Sequence, residues 1–153
     1  MTDTTETPTM DTPAYQVLNR RRLSFPHAQV YGAFADPEQL KIWWGPEGFT
    51  NRIAIFDLRP GGEWRLTMIN ENDRAFDNIK EFLEVSSAQI VMQHIAPMHD
   101  FIMTMRFEPA GDDATDLTWI MDFAPGQDDG LAPFLEAANE QNFDRLEAHL
   151  NSL

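Results

Sequence analysis

A chain of 153 residues with 42% hydrophobic content is long enough to bury one sizeable core. Its formal net charge of -14 repels phosphate backbones and anionic bilayers, which argues against nucleic-acid and membrane partners. With no cysteine, disulfides, thiolate metal sites and cysteine nucleophiles are excluded.

The longest apolar runs, such as 53–56 and 117–121, are far too short to span a bilayer. No basic start followed by an apolar stretch opens the chain, so a cytoplasmic location is expected. Residues 1–14 are rich in Thr, Asp, Glu and Pro without apolar periodicity, which predicts a disordered tail ahead of one domain over 15–153.

From Tyr15 a first strand runs towards Ser24. Pro26 then opens a short helix to residue 35, with Val30, Ala33 and Phe34 on one face. Asp36-Pro37 is an N-cap followed by proline at the first helical position, and Gly45-Pro46 stops this second helix near Trp43 or Trp44. Strands are predicted over 50–58, 63–69, 76–85, 89–95, 101–108 and 115–123. The alternation is cleanest in the last two, where Phe101, Met103, Met105 and Phe107 share one face, as do Leu117, Trp119, Met121 and Phe123. Residues 131–151 form the strongest helix, roughly 30 Å long at the standard rise, with an apolar stripe interrupted by Asn139 and Asn142. Consecutive strands flanked by helices indicate an α+β fold.

Several motifs occur in a fixed order. Asp36-Pro37-Glu38 precedes Trp43-Trp44-Gly45-Pro46-Glu47-Gly48-Phe49, and Arg59-Pro60-Gly61-Gly62-Glu63-Trp64 follows. Then come His99-Asp100-Phe101, the strand 117–123 and Phe143-Asp144-Arg145-Leu146. This set resembles the SRPBCC (START-like) superfamily, in the branch homologous to the activator of the heat-shock-protein-90 ATPase. The resemblance spans about residues 15–151. Family members often carry Gly-Trp early in the last helix, where this chain has Ala138-Asn139. The resemblance implies a helix-grip fold: a curved antiparallel sheet of about six or seven strands around the long C-terminal helix, two short helices after the first strand, and a cavity between sheet and helix. Relatives include lipid- and steroid-binding proteins, polyketide cyclases and aromatases, and ligand-sequestering resistance proteins. Chaperone activation in the named protein also depends on a separate N-terminal domain.

Candidate cavity residues follow from the predicted faces. Trp43 and Trp44 leave a short helix at its stop, where adjacent residues point in different directions, so either one lines the cavity mouth or both pack the helices on the sheet. Trp64, Met68, Met103, Met105, Trp119 and Met121 fall on inward strand faces, where core and cavity wall coincide. Methionine-rich walls suit an adaptable pocket, although ordinary core filling is the commoner use. His94 shares a face with Ile90 and Met92 and is the best candidate for acid–base chemistry; a backbone-bonded core histidine is the alternative. From the helix come Phe134, Ala138 and Asn142, with Asn139 and Gln141 as further polar candidates. An Asn in an apolar stripe needs a partner, whether ligand, water or backbone.

His27 and His149 read as surface residues, and Asp112-Asp113 and Asp128-Asp129 as solvated loops. His94, His99 and Asp100 lack a recognised metal spacing. Phosphate-binding glycine loops, Gly-x-Ser-x-Gly elbows and His-Glu-x-x-His are missing, so no cofactor or metal is expected. The expected partner is a small apolar or aromatic molecule, with a homodimer open. The function read from the chain is hydrophobic-ligand binding; a cyclase-, aromatase- or hydrolase-like enzyme and a co-chaperone-like interaction role are the alternatives.

Overall fold

The structure is a computed structural model that describes residues 15–96, 100–125 and 129–153. The expected tail over 1–14, His99 and Asp128 lie outside the described residues. Strand β1 (Tyr15–Leu23) leads into helices α1 (His27–Ala35) and α2 (Pro37–Trp43). Six strands follow: β2 (Thr50–Phe56), β3 (Glu63–Ile69), β4 (Ala75–Val85), β5 (Gln89–Ala96), β6 (Phe101–Pro109) and β7 (Thr115–Phe123). A single 3₁₀ turn at Asp129–Leu131 precedes helix α3 (Ala132–Asn151).

All seven strands form one curved antiparallel sheet in the order β1-β7-β6-β5-β4-β3-β2. Strands adjacent in sequence pair by hairpins, and only β1 must travel to close beside β7. One face of β7 is buried at every second residue, as its alternation requires: Thr115, Leu117, Trp119, Met121 and Phe123. Register shifts between Ile53 and Ile55, and on either side of Lys80–Phe82 in the β4–β5 pairing, mark bulges that bend the sheet. The curved face wraps α1, α2 and α3.

Helix α3 is held to β1 by charge as well as packing. The Arg21 guanidinium meets Glu140, Asp144 and Glu147 on successive turns of α3, at 2.7, 2.8 and 2.8 Å. Its buried face is Asn142, Phe143, Leu146, His149 and Leu150, confined to the C-terminal half. The predicted stripe is therefore corrected at its N-terminal end: Phe134 is 66% exposed. Here the inner face of α3 stands over a cavity, and β1 touches the helix along its flank through Asn19.

His149, expected at the surface, is buried at 7% exposure, with Nε2 2.9 Å from Gln39 Oε1. Desolvation lowers its pKa below the usual imidazole value. His27 is half-buried, and its ring nitrogen bonds Ser87 O at 2.7 Å. Asp112 and Asp113 are exposed, as loop residues should be.

Candidate functional site

Between the sheet and the first half of α3 lies a cavity of about 420 Å³ that opens to solvent. Its wall is overwhelmingly apolar. The sheet contributes Met68, Phe76, Met103, Trp119, Met121 and Phe123, and α3 contributes Phe134, Leu135 and Ala138. The α2–β2 loop closes a third side with Trp44, Gly45, Pro46 and Phe49.

Trp44 is held in place by an unusual concentration of side-chain caps. A helix end leaves its last carbonyls without partners. At the end of α2, Asn51 Nδ2 donates to the carbonyls of Lys41 and Trp44 at 3.1 and 2.8 Å. Asn142 Nδ2 donates to Trp43 O at 2.9 Å. Arg145 spans the segment, donating to Ile42 O at 2.8 Å, to Trp44 O, which it shares with Asn51, at 3.0 Å, and to the carbonyls of Gly45 and Pro46 at 3.1 and 3.0 Å. Gly45 has φ +96, and a Cβ there would sit 2.8 Å from Met68 Cε, so only glycine turns the chain at this wall.

The two adjacent tryptophans divide the work. Trp43 turns under α1, donates from Nε1 to Ala33 O at 3.1 Å and packs edge-on against Phe34. Trp44 faces the cavity and contacts Trp64 and Trp119 at centroid distances of 4.9 and 5.4 Å. It forms a partition: behind it Trp64, Phe82, Ile90 and Met105 pack with almost no free space.

Of the twelve residues singled out in the sequence, nine line the cavity: Trp44, Met68, His94, Met103, Trp119 and Met121 outside α3, and Phe134, Ala138 and Asn142 on it. Trp43, Trp64 and Met105 do not; they belong to the packed core beyond Trp44. The residue alternation assigns a face but not a distance along the sheet, and these three sit past the end of the open space.

The polar groups are few. Asn142 spends its amide on Trp43 O. Asn139, also in the wall, donates to Asn19 Oδ1 at 3.0 Å and contacts Met121 Sδ at 3.3 Å. Gln141 is exposed outside the wall and accepts from Glu47 N at 3.1 Å. His94 is 7% exposed on the concave face with Ile90 and Met92, and its ring lies 4.7 Å from that of Phe101.

Sequence reasoning missed Lys80. It is 3% exposed and lines the cavity beside His94, its register partner on β5. Its Nζ donates to Asn78 Oδ1 at 3.3 Å and lies 4.8 Å from the Trp64 ring centroid and 5.8 Å from that of Trp44. Burial lowers its pKa from 10.5 to about 7. The signal was present: Phe76, Asn78, Lys80 and Phe82 share a face by alternation, and the two phenylalanines mark it as inward. Among the described residues no cluster of three or more His, Cys, Asp or Glu could hold a metal, and no helix is long and apolar enough to cross a membrane.

The family model described as Activator of Hsp90 ATPase homolog 1-like protein matches residues 24–151. The chain belongs to that family. Within it, the order of strand, two short helices, six strands and long helix is the helix-grip arrangement of the SRPBCC superfamily. A crystal structure from Chromobacterium violaceum is 25% identical, with 88% of this chain and 96% of that one covered at a TM-score of 0.76. One from Nitrosomonas europaea is 23% identical over 90% and 94% of the two chains, at a TM-score of 0.77. A solution structure from Arthrobacter aurescens is 18% identical over 92% and 88%, at 0.82. These last two show the shared fold alone. No curated protein matches the sequence.

Proposed function

We propose that this member of the family binds a small, mostly apolar molecule between the sheet and α3. The supporting observation is the cavity of about 420 Å³, which falls in the size range of small-molecule sites and is walled by aromatic and methionine side chains. Apolar walls that meet solvent favour an occupant that removes them from water, at roughly 25 cal/mol per Å². Met68, Met103 and Met121 adjust to ligand shape without a change of fold.

Tryptophan fluorescence tests the reading, since Trp44 and Trp119 line the space whereas Trp43 and Trp64 do not. Titration with apolar and aromatic compounds should quench or shift emission saturably, and Trp44→Phe should remove part of that response. Absence of saturable binding across aliphatic, aromatic and polycyclic probes, by fluorescence and by native mass spectrometry, would sink it.

A second reading has one specific observation in its favour. His94 and Lys80 are register partners on adjacent strands and both line the cavity, so two titratable groups stand side by side in its wall. That pair is suited to general acid–base work on an apolar or aromatic substrate, as in a cyclase, aromatase or hydrolase. Turnover of ester or polyketide-like probes that is lost in His94→Ala would support it. Turnover unaffected by that substitution would count against it.

A further inference from the structure

The cavity wall is electrostatically one-sided. Among the described residues that line it, Lys80 alone carries a formal charge, none is acidic, and His94 is the only other titratable group. The chain holds 25 acidic residues, and several surface cations pair with them: Arg21 meets three carboxylates of α3, Arg22 meets Asp116, and Lys41 meets Glu38. No described carboxylate reaches Lys80. Its ammonium has one amide oxygen at 3.3 Å and the faces of two indoles.

An ammonium buried this way is expensive unless paired, and cation–π contact recovers only part of the cost. A purely structural role at this position would be met by methionine or leucine. In the same wall the indole N–H of Trp119 is a buried donor without an acceptor. Lys80 lacks an anion and the Trp119 N–H lacks an acceptor, and both residues line the open space.

We propose that the occupant of the cavity is a small apolar carboxylic acid, its carboxylate paired with the Lys80 ammonium and its body packed against Trp44, Met103, Trp119 and Met121; this rests on the ligand-binding reading above. A singly charged head group fits a single cation. A phosphate monoester would bring nearly two negative charges to one buried positive charge, and this wall holds no arginine fork for it. The net charge of -14 opposes entry of any anion and favours one whose bulk is apolar.

Pairing also has a proton signature. The groups facing Lys80 are Trp64 from β3, Asn78 on its own strand, His94 from β5 and Trp44 from the end of α2, while α3 adds the amides of Asn139 and Asn142 to the wall. None of these is anionic. A bound carboxylate therefore raises the Lys80 pKa back towards its usual range, and binding above about pH 7 takes up a proton.

The test uses calorimetry on the full chain with matched probes: naphthalene-2-carboxylate against naphthalen-2-ol, and octanoate against octan-1-ol and octylamine. At about pH 6 the acids should bind at least about tenfold more tightly than the alcohols, and the amine most weakly. Lys80→Met should erase the preference for acids and keep alcohol binding. At about pH 8, acid binding to the wild type should take up a proton, read as an enthalpy that varies with buffer ionisation, and alcohol binding should not.

Equal affinity for acid and alcohol, a preference that survives Lys80→Met, or acid binding without proton uptake at about pH 8 would overturn the carboxylate assignment while leaving apolar binding intact. Failure of every probe, alcohols included, to bind wild type or variant would remove the cavity-binding reading itself. Should Lys80→Met not fold, Lys80→Gln and the wild-type proton uptake decide the matter.

Discussion

A lysine ammonium that enters a protein interior gives up its hydration, and the folded state bears that cost unless a partner replaces the water. Lys80 is the side chain in which this cost is concentrated, with a pKa lowered by burial from 10.5 to about 7. Between those two values the unfolded chain holds a proton that the folded chain releases. Wild-type stability in the absence of ligand therefore rises with pH across that window, and the full penalty is present below about pH 7. Lys80→Met should accordingly stabilise the unliganded protein by roughly 1–4 kcal/mol near neutral pH, and the gain should shrink as pH climbs towards 10.5. Urea denaturation of both proteins over that range measures it; a gain that grows with pH would refute the account. His149 makes a smaller statement of the same kind. Its pKa is lowered by burial, so the wild type should lose stability relative to His149→Gln as pH falls through the ordinary histidine value, read by the same denaturation series.

At the scale of elements, the junction of α2 with β2 decides where the cavity ends. Arg145 on α3 gathers four carbonyls of the Ile42–Pro46 segment, Asn142 takes that of Trp43, and Asn51 takes that of Lys41 and shares that of Trp44. A planar guanidinium spreads five donors over a rigid fork; an ammonium holds three around one atom on a flexible stem and cannot span the same carbonyls. Arg145→Lys should thus cost about 1–3 kcal/mol despite its retained charge, and should red-shift tryptophan emission as Trp44 loosens. Unchanged emission and stability would show that the loop is held by packing alone. Much of this junction was legible in the chain, since Asp36-Pro37 opens α2 and Gly45-Pro46 closes it. The caps were not, because Asn51 and Arg145 come from 10 and 103 residues away from carbonyls they bind. Alternation gave the inward faces of β6 and β7 directly, where every second residue is large and apolar. On β4 the signal is weaker: Phe76 and Phe82 mark the inward face, but Asn78 and Lys80 between them break its apolar run. Trp64 and Met105 show the other limit: a face shared by core and cavity does not say where one gives way to the other.

Across the whole molecule, the cavity is a gap in what would otherwise be a continuous core. The C-terminal half of α3 buries Phe143, Leu146 and Leu150, while the first half stands over open space with Phe134 at its rim. Filling that space with side chains would add stability and remove the site, a common exchange between stability and function. A ligand can supply the missing packing instead. By mass action, a molecule that binds only the folded state stabilises it by about 2.7 kcal/mol at a hundred times its Kd, which corresponds to a rise in Tm of several degrees for a chain of this size. The wild type and Lys80→Met should then respond differently to a bound acid. Without ligand, Lys80→Met should melt above the wild type. With saturating naphthalene-2-carboxylate at about pH 6, the wild type gains both apolar packing and a paired charge, whereas the variant gains packing alone, so the gap should close or reverse. Differential scanning calorimetry of both proteins, with the acid and with naphthalen-2-ol, reads this directly. Parallel shifts for both proteins with both ligands would mean that the charge takes no part in binding and that the cavity recognises shape and apolar surface only.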